Sequence, residues 1–187
     1  MPEDEFLRTG GRMHGFQLWV NLPRRDKLMR PHYLEIAREK IPTAASADRA
    51  ISVRVIAGEA MGAKAVIATR TPIIFLHYTL APGAAVTQQV APDYNLFAYV
   101  FGGHGSFGRN YQRAAERQMV LFANDSESVS FDCSPDSIEP LEVLLIGGAP
   151  LHEPVVRYGP FVMNTKQEIA SAIEDYQQGR MGQIAAT

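Results

Sequence analysis

The chain has 187 residues, 46% of them apolar and 20% charged, with a formal net charge of -2; this suffices for one sizeable core, and no basic surplus exists to neutralise a phosphate backbone, which counts against direct nucleic-acid binding. The single cysteine, Cys133, has no partner for an internal disulfide or a thiolate zinc site, as a reducing compartment permits. No apolar run approaches the ~20 residues of a bilayer span, and the N-terminus is acidic (Glu3, Asp4, Glu5) where a secretory signal is basic, so the expectation is a cytoplasmic protein with no membrane contact.

In chain order, residues 14 to 22 place Phe16, Leu18 and Val20 on one side of an extended segment and Gln17, Trp19 and Asn21 on the other, which predicts a strand ending at Pro23. From Arg24 to about Arg49 the pattern is broken by Pro31 and Pro42 and reads as a linker with one helical turn, its mixed cluster Arg24-Arg25-Asp26-Lys27 as solvated surface. From Ile51 onward short apolar runs follow one another at 51–57, 65–68, 73–80, 97–101, 119–122, 129–131 and 141–146. Many are rich in Val, Ile, Phe and Tyr, and turn signals such as Pro82-Gly83, Gly102-Gly103 and Asn124-Asp125 separate them, which predicts an antiparallel sandwich or barrel. One helix closes the chain. Thr165 with Glu168 makes a capping box, Ile169, Ala172, Ile173 and Tyr176 form an apolar stripe, and Gly179 is placed to stop it.

The segment Gly147-Gly148-Ala149-Pro150-Leu151-His152-Glu153-Pro154-Val155-Val156-Arg157-Tyr158-Gly159-Pro160-Phe161-Val162-Met163-Asn164-Thr165 resembles the C-terminal signature of the pirin family almost position for position. Gly15-Phe16-Gln17-Leu18-Trp19-Val20-Asn21-Leu22-Pro23 is similar to the strand that finishes the first cupin domain of pirins, and 53–59 and 80–84 fit the family in order. The resemblance implies two consecutive cupin barrels with iron in the N-terminal one, held by three histidines and a glutamate. It implies quercetin 2,3-dioxygenase activity in some members, and in animal members an iron-dependent, nuclear role as transcription cofactors. The family's last metal ligands lie in a His-x-Glu-Met-Pro segment, of which Met1-Pro2 resembles the final two letters, so this chain is expected to begin just after them.

These readings together predict an all-β, cupin-type antiparallel barrel or jelly roll with an N-terminal strand and linker left from a first cupin and a short C-terminal helix. The expected division is 1–48 (remnant of the first cupin, strand about 14–22, plus linker), 49–160 (C-terminal cupin domain) and 161–187 (tail with helix about 166–178).

A cupin iron site needs imidazoles and a carboxylate converging from neighbouring strands, usually through a His-x-His pair. The five histidines, His14, His32, His77, His104 and His152, are scattered singly. The stretch after Pro82-Gly83, where a first cupin motif places its histidines, reads Ala84-Ala85-Val86-Thr87-Gln88-Gln89-Val90-Ala91. The expectation is therefore no metal and no catalytic residue in this chain, with iron confined to the intact family. A pocket, if the fold has one, is expected inside the second barrel and lined by His77, Tyr99 and Phe101; a barrel filled by side chains is the alternative. The glycine-rich run 102–108 has no helix start after it and is not expected to cradle phosphate. Cys133 has no basic neighbour in sequence to activate it. Glu153, Arg157 and Asn164 are expected to fasten the tail by hydrogen bonds.

The function these features predict is a non-catalytic, pirin-like cupin module acting by protein contacts. The expected contacts are self-association or a protein partner, through the strand around Trp19 and the C-terminal helix. The alternatives are a pirin-type iron-dependent quercetin 2,3-dioxygenase, if a longer product supplies the ligands, and a transcription cofactor acting through a DNA-binding partner.

Overall fold

The computed structural model describes residues 8–11, 14–182 and 184; the Met1-Pro2 and acidic N-terminal readings lie outside them. Among the described residues the strands are β1 (Thr43–Ala45), β2 (Ile51–Ala57), β3 (Glu59–Ala60), β4 (Ala63–Lys64), β5 (Ile73–Leu80), β6 (Ala85–Gln89), β7 (Asn95–Gly102), β8 (His104–Phe107), β9 (Gln112–Ala115), β10 (Met119–Leu121), β11 (Ser128–Cys133), β12 (Leu141–Gly148), β13 (Val156–Tyr158) and β14 (Phe161–Met163). The helix α1 (Lys166–Gln177) closes the chain. A six-stranded antiparallel sheet in the order β1-β2-β5-β12-β7-β10 faces a four-stranded one in the order β6-β11-β8-β9. This is the cupin-type double sheet that the sequence predicts.

Strict alternation drives the closure of the two sheets. In β5 every second residue, Ile74, Leu76, Tyr78 and Leu80, is buried between the sheets, while Ile73, Phe75, His77 and Thr79 face the other way. Tyr78 meets Phe131 of the opposite sheet edge-on at 5.3 Å between ring centres, and Phe131 stacks on Phe107 at 5.6 Å. The Tyr78 hydroxyl donates to Gln88 Oε1 at 2.5 Å, and Gln88 Nε2 donates to the carbonyls of Glu59 and Gln89. Burial pushes the Tyr78 hydroxyl well above its ordinary pKa, so it stays a neutral donor. The space between the sheets is thus filled by side chains, and its polar atoms at Tyr78 and Gln88 are partnered.

The differences from the sequence reading are local. Residues 14 to 22 form no strand: the segment has the alternation but pairs with no neighbouring edge among the described residues, and a strand exists only in a ladder. The run 65–68 is loop, following a two-residue hairpin of β3 and β4. β6 (Ala-Val-Thr-Gln-Gln) and β9 (Gln-Arg-Ala-Ala) carry too little apolar alternation to be read in advance, and are held by pairing with β11 and β8. β1 lies in the stretch read as linker, which also contains two short 3-10 turns, Arg24–Asp26 and Arg38–Lys40. His104 opens β8 and does not sit in a turn; Gly103 before it has φ 67°, and a side chain at Gly105 would collide with the Asp132 carbonyl. The glycines of 102–108 serve this close crossing. The capping box is present, with Glu168 N donating to Thr165 Oγ1 at 3.1 Å and Thr165 N to Glu168 Oε2 at 2.9 Å, and Gly179 takes φ 69° past the helix end. The division expected after residue 160 falls in the turn of hairpin β13–β14.

Candidate functional site

The residues expected to line a pocket do come together, but outside the barrel. His77, Tyr99 and Phe101 occupy outward positions of β5 and β7, because their strand neighbours Leu76, Tyr78, Ala98 and Val100 fill the interior. The expectation of an internal pocket is corrected on this point: a period of two fixes the face, and the larger apolar set took the inside. On the outer face His77 Nε2 lies 2.6 Å from Glu142 Oε2, an oxygen that also accepts from Thr79 Oγ1 at 3.0 Å. Phe101 packs on the His77 ring at 5.1 Å.

Residues 14 to 22 lie over this face as a strap. Phe16 contacts Tyr99 at 5.8 Å and Phe101 at 5.2 Å, and the His14 ring lies 5.9 Å from Phe101. Leu144 and Ile146 of β12, cross-strand from His77 and Phe75, point outward yet are buried. His14 had no sequence signal linking it to His77; only the packing of the strap unites them. The iron site implied by the family resemblance calls for three imidazoles and a carboxylate. Among the described residues no three His, Cys, Asp or Glu side chains converge, so the His77–Glu142 pair does not fit that donor set.

The strap is tied down at its C-terminal end by a polar clamp. Glu153 Oε2 accepts from the Arg24 amide at 2.8 Å and from Asn164 Nδ2 at 2.9 Å, and Asn164 Nδ2 also donates to the Pro154 carbonyl at 2.9 Å. Arg24 Nε and Nη2 each reach Glu168 Oε1 at 2.7 Å, while Glu168 Oε2 accepts from the Asn164 and Thr165 amides. Lys27 Nζ donates to Asn21 Oδ1 at 2.5 Å and to the Val162 carbonyl at 3.1 Å. Burial lowers the Lys27 pKa against the opposing pull of Glu153 and Glu168. Burial raises that of Glu168, but the Asn164 amide, Arg24 and the Thr165 amide together hold it below its ordinary value. Arg24 and Lys27 are therefore tied to the tail, although the Arg24 side chain stays 65% exposed and Arg25 is solvated, as the mixed-sign cluster suggests. Glu153 and Asn164 fasten the tail as expected. Arg157 does not: it is exposed on β13 with no side-chain partner among the described residues.

Between strap, sheet face and tail runs an open cleft of about 1590 Å³, with Ile73, Phe97, Ile146 and Phe161 among its apolar lining and Trp19, Arg30 and Arg157 lining it as well. Thr71, 9% exposed, lines it with a hydroxyl that has no hydrogen-bond partner among the described residues. Cys133 is fully buried and lies apart from the cleft. No helix among the described residues is long and apolar enough to cross a membrane.

Comparison with known proteins places these features. Residues 75–182 match the model of the pirin C-terminal cupin domain. A pirin-like protein of Solanum lycopersicum is 42% identical over 172 residues, covering 92% of this chain and 58% of its own length. Human pirin is 36% identical over 170 residues, covering 90% of this chain and 57% of its own length. The crystal structure of a quercetin 2,3-dioxygenase from Acinetobacter baumannii superimposes with a TM-score of 0.79 at 32% identity, over 89% of this chain and 56% of that one. The chain thus spans little more than half the length of these relatives.

Proposed function

The chain belongs to the pirin family, and from that premise we propose that it works as a cupin module through protein contacts, without turning over a substrate on iron of its own. One observation carries this reading: a strap with exposed Phe16, Leu18, Trp19 and Val20, 73% exposed at Trp19, lies beside an open apolar cleft on the outer face of the six-stranded sheet. Apolar surface gathered in this way serves association. The polar groups nearby, Glu153, Asn164, Glu168, Arg24 and Lys27, are engaged in holding the strap. The test is to purify the chain, measure iron, nickel, copper and zinc, and follow oxygen uptake with quercetin. Substoichiometric metal and no uptake are expected; stoichiometric metal with turnover overturns the reading.

A second reading is favoured by the likeness to the Acinetobacter quercetin 2,3-dioxygenase. In it, this barrel is one part of a larger oxygenase whose metal is held by residues outside the described set. The same oxygen-uptake assay, repeated on a product extended upstream with any His-x-His segment encoded there, separates the two. Fold alone does not decide between them.

A further inference from the structure

We propose that the mouth of the barrel between the β3–β4 hairpin and the end of β6 binds a small organic amine with an apolar body. This goes beyond the protein-contact reading above and does not rest on it.

The space between the sheets is filled by side chains, but one end of it stays open. The loops that leave β2, β4 and β6 and the loop that enters β11 enclose a cavity of about 670 Å³ there. That volume falls within the ~300–1,000 Å³ of small-molecule sites, for which barrel mouths are a preferred place. Every residue lining it falls between Gly58 and Glu127, so none comes from the strap or the tail. Backbone bonds fix the rim: the Ala65 amide donates to the Gly58 carbonyl at 2.9 Å, the Val90 amide to the Glu127 carbonyl at 2.9 Å, and the Tyr94 amide to the Ala91 carbonyl at 3.1 Å. The cavity is therefore preformed.

The walls ask for an apolar body. Ile67, Ile74, Val90, Pro92 and Tyr94 supply them. The run 65–68, apolar enough to read as a strand, joins no ladder; Ala65 and Ile67 line the cavity, while Val66 between them is 60% exposed. An apolar segment released from the sheet and laid along a concavity provides contact surface for an apolar guest.

The charges choose the head group. Glu59 and Glu127 both line the cavity, and neither carboxylate has a side-chain partner among the described residues. Lys64, the one cation of the lining, stands opposite Glu59 in the β3–β4 ladder yet closes no ion pair there among the described residues. Asp93 adds a further negative charge beside Tyr94, whose pKa is raised by burial first and by Asp93 second. A mouth with this excess of carboxylate attracts an ammonium and repels an anion. No three metal-ligating side chains converge among the described residues, which leaves an organic cation as the guest that satisfies both the walls and the charge.

The probes are hexylamine, hexanol and hexanoate, which share one apolar chain and differ in the charge of the head. Each is titrated into the intact chain, and the backbone amide NMR shifts of Ala65, Ile67, Val90, Tyr94 and Glu127 are followed. Hexylamine should move these amides saturably, more tightly than hexanol, with hexanoate weakest of the three, and added salt should weaken the amine selectively. Glu59→Gln with Glu127→Gln should weaken hexylamine binding about tenfold and leave hexanol unchanged. Both side chains are exposed and unpaired among the described residues, so an unchanged melting curve verifies the fold of the variant. No saturable shift with hexylamine, shifts confined to residues outside 58–127, hexanoate binding as tightly as hexylamine, or undiminished amine binding by the double variant would each overturn the proposal.

Discussion

Asn164 offers the sharpest check on the clamp that joins strap and tail. It is 6% exposed, and its amide nitrogen donates to Glu153 Oε2 and to the Pro154 carbonyl, each at 2.9 Å. Asn164→Ala removes two hydrogen bonds worth ~0.5–1.5 kcal/mol each, one of them to a charged acceptor, for a loss of about 2 kcal/mol. For a domain of this size that is a fall of about 4–8 °C in melting temperature. Asn164→Asp goes further, because it sets a second carboxyl against Glu153 at hydrogen-bond distance. The introduced acid, buried and beside a like charge, has its folded pKa raised above the unfolded value. Its protonated form is therefore the one tolerated: the variant is least impaired at pH 4 to 5 and loses further stability as pH rises through the raised value. Thermal melts of both variants by circular dichroism at pH 5 and pH 8, with hydrogen exchange followed in residues 14 to 30, measure this. An Ala variant within 1 °C of the parent, or an Asp variant whose deficit does not grow from pH 5 to pH 8, refutes the clamp.

Other outcomes follow from the same contacts. Tyr78→Phe leaves the buried Gln88 Oε1 without its donor and should cost ~1–3 kcal/mol in denaturant unfolding, although no apolar contact is lost. Thr165→Ala removes the N-cap acceptor of α1 and should cost about 1 kcal/mol, with local loosening of the helix seen by hydrogen exchange. Because the folded pKa of Glu168 is held below 4.5, its contribution is complete above that value and is lost as pH falls through the lowered one; acid titration should release the strap first, seen as faster proteolysis near Arg24 and Lys27. Phe131→Ala empties space between Tyr78 and Phe107 and should cost ~3–5 kcal/mol.

The sequence made legible what local chemistry fixes. The alternating runs of β2, β5, β7 and β12 and the Thr165–Glu168 capping box were readable because each pattern is dictated by its own residues. Strands such as β6 and β9 were not, since their polar composition is tolerated only by cross-strand pairing, supplied from 39 to 47 residues away for β6 and across a short turn for β9. For the site, the sequence named His77, Tyr99 and Phe101 together but assigned them to the wrong face; alternation says which residues share a side and leaves open which side becomes the interior. Glu142 and His14 join them through sheet register and strap packing, neither of which leaves a sequence mark. Arg24 and Lys27 were concealed by a mixed-sign cluster that commonly signals solvated surface, whereas here their partners arrive from residues 153 to 168.

The exposed apolar strap, with Trp19 at its centre, needs a covering surface. Sedimentation velocity across micromolar concentrations tests this most directly. The prediction is a concentration-dependent species heavier than one chain, which shifts to the single-chain mass in Trp19→Ser. A single sharp monomer boundary at every concentration, unchanged by the substitution, contradicts it.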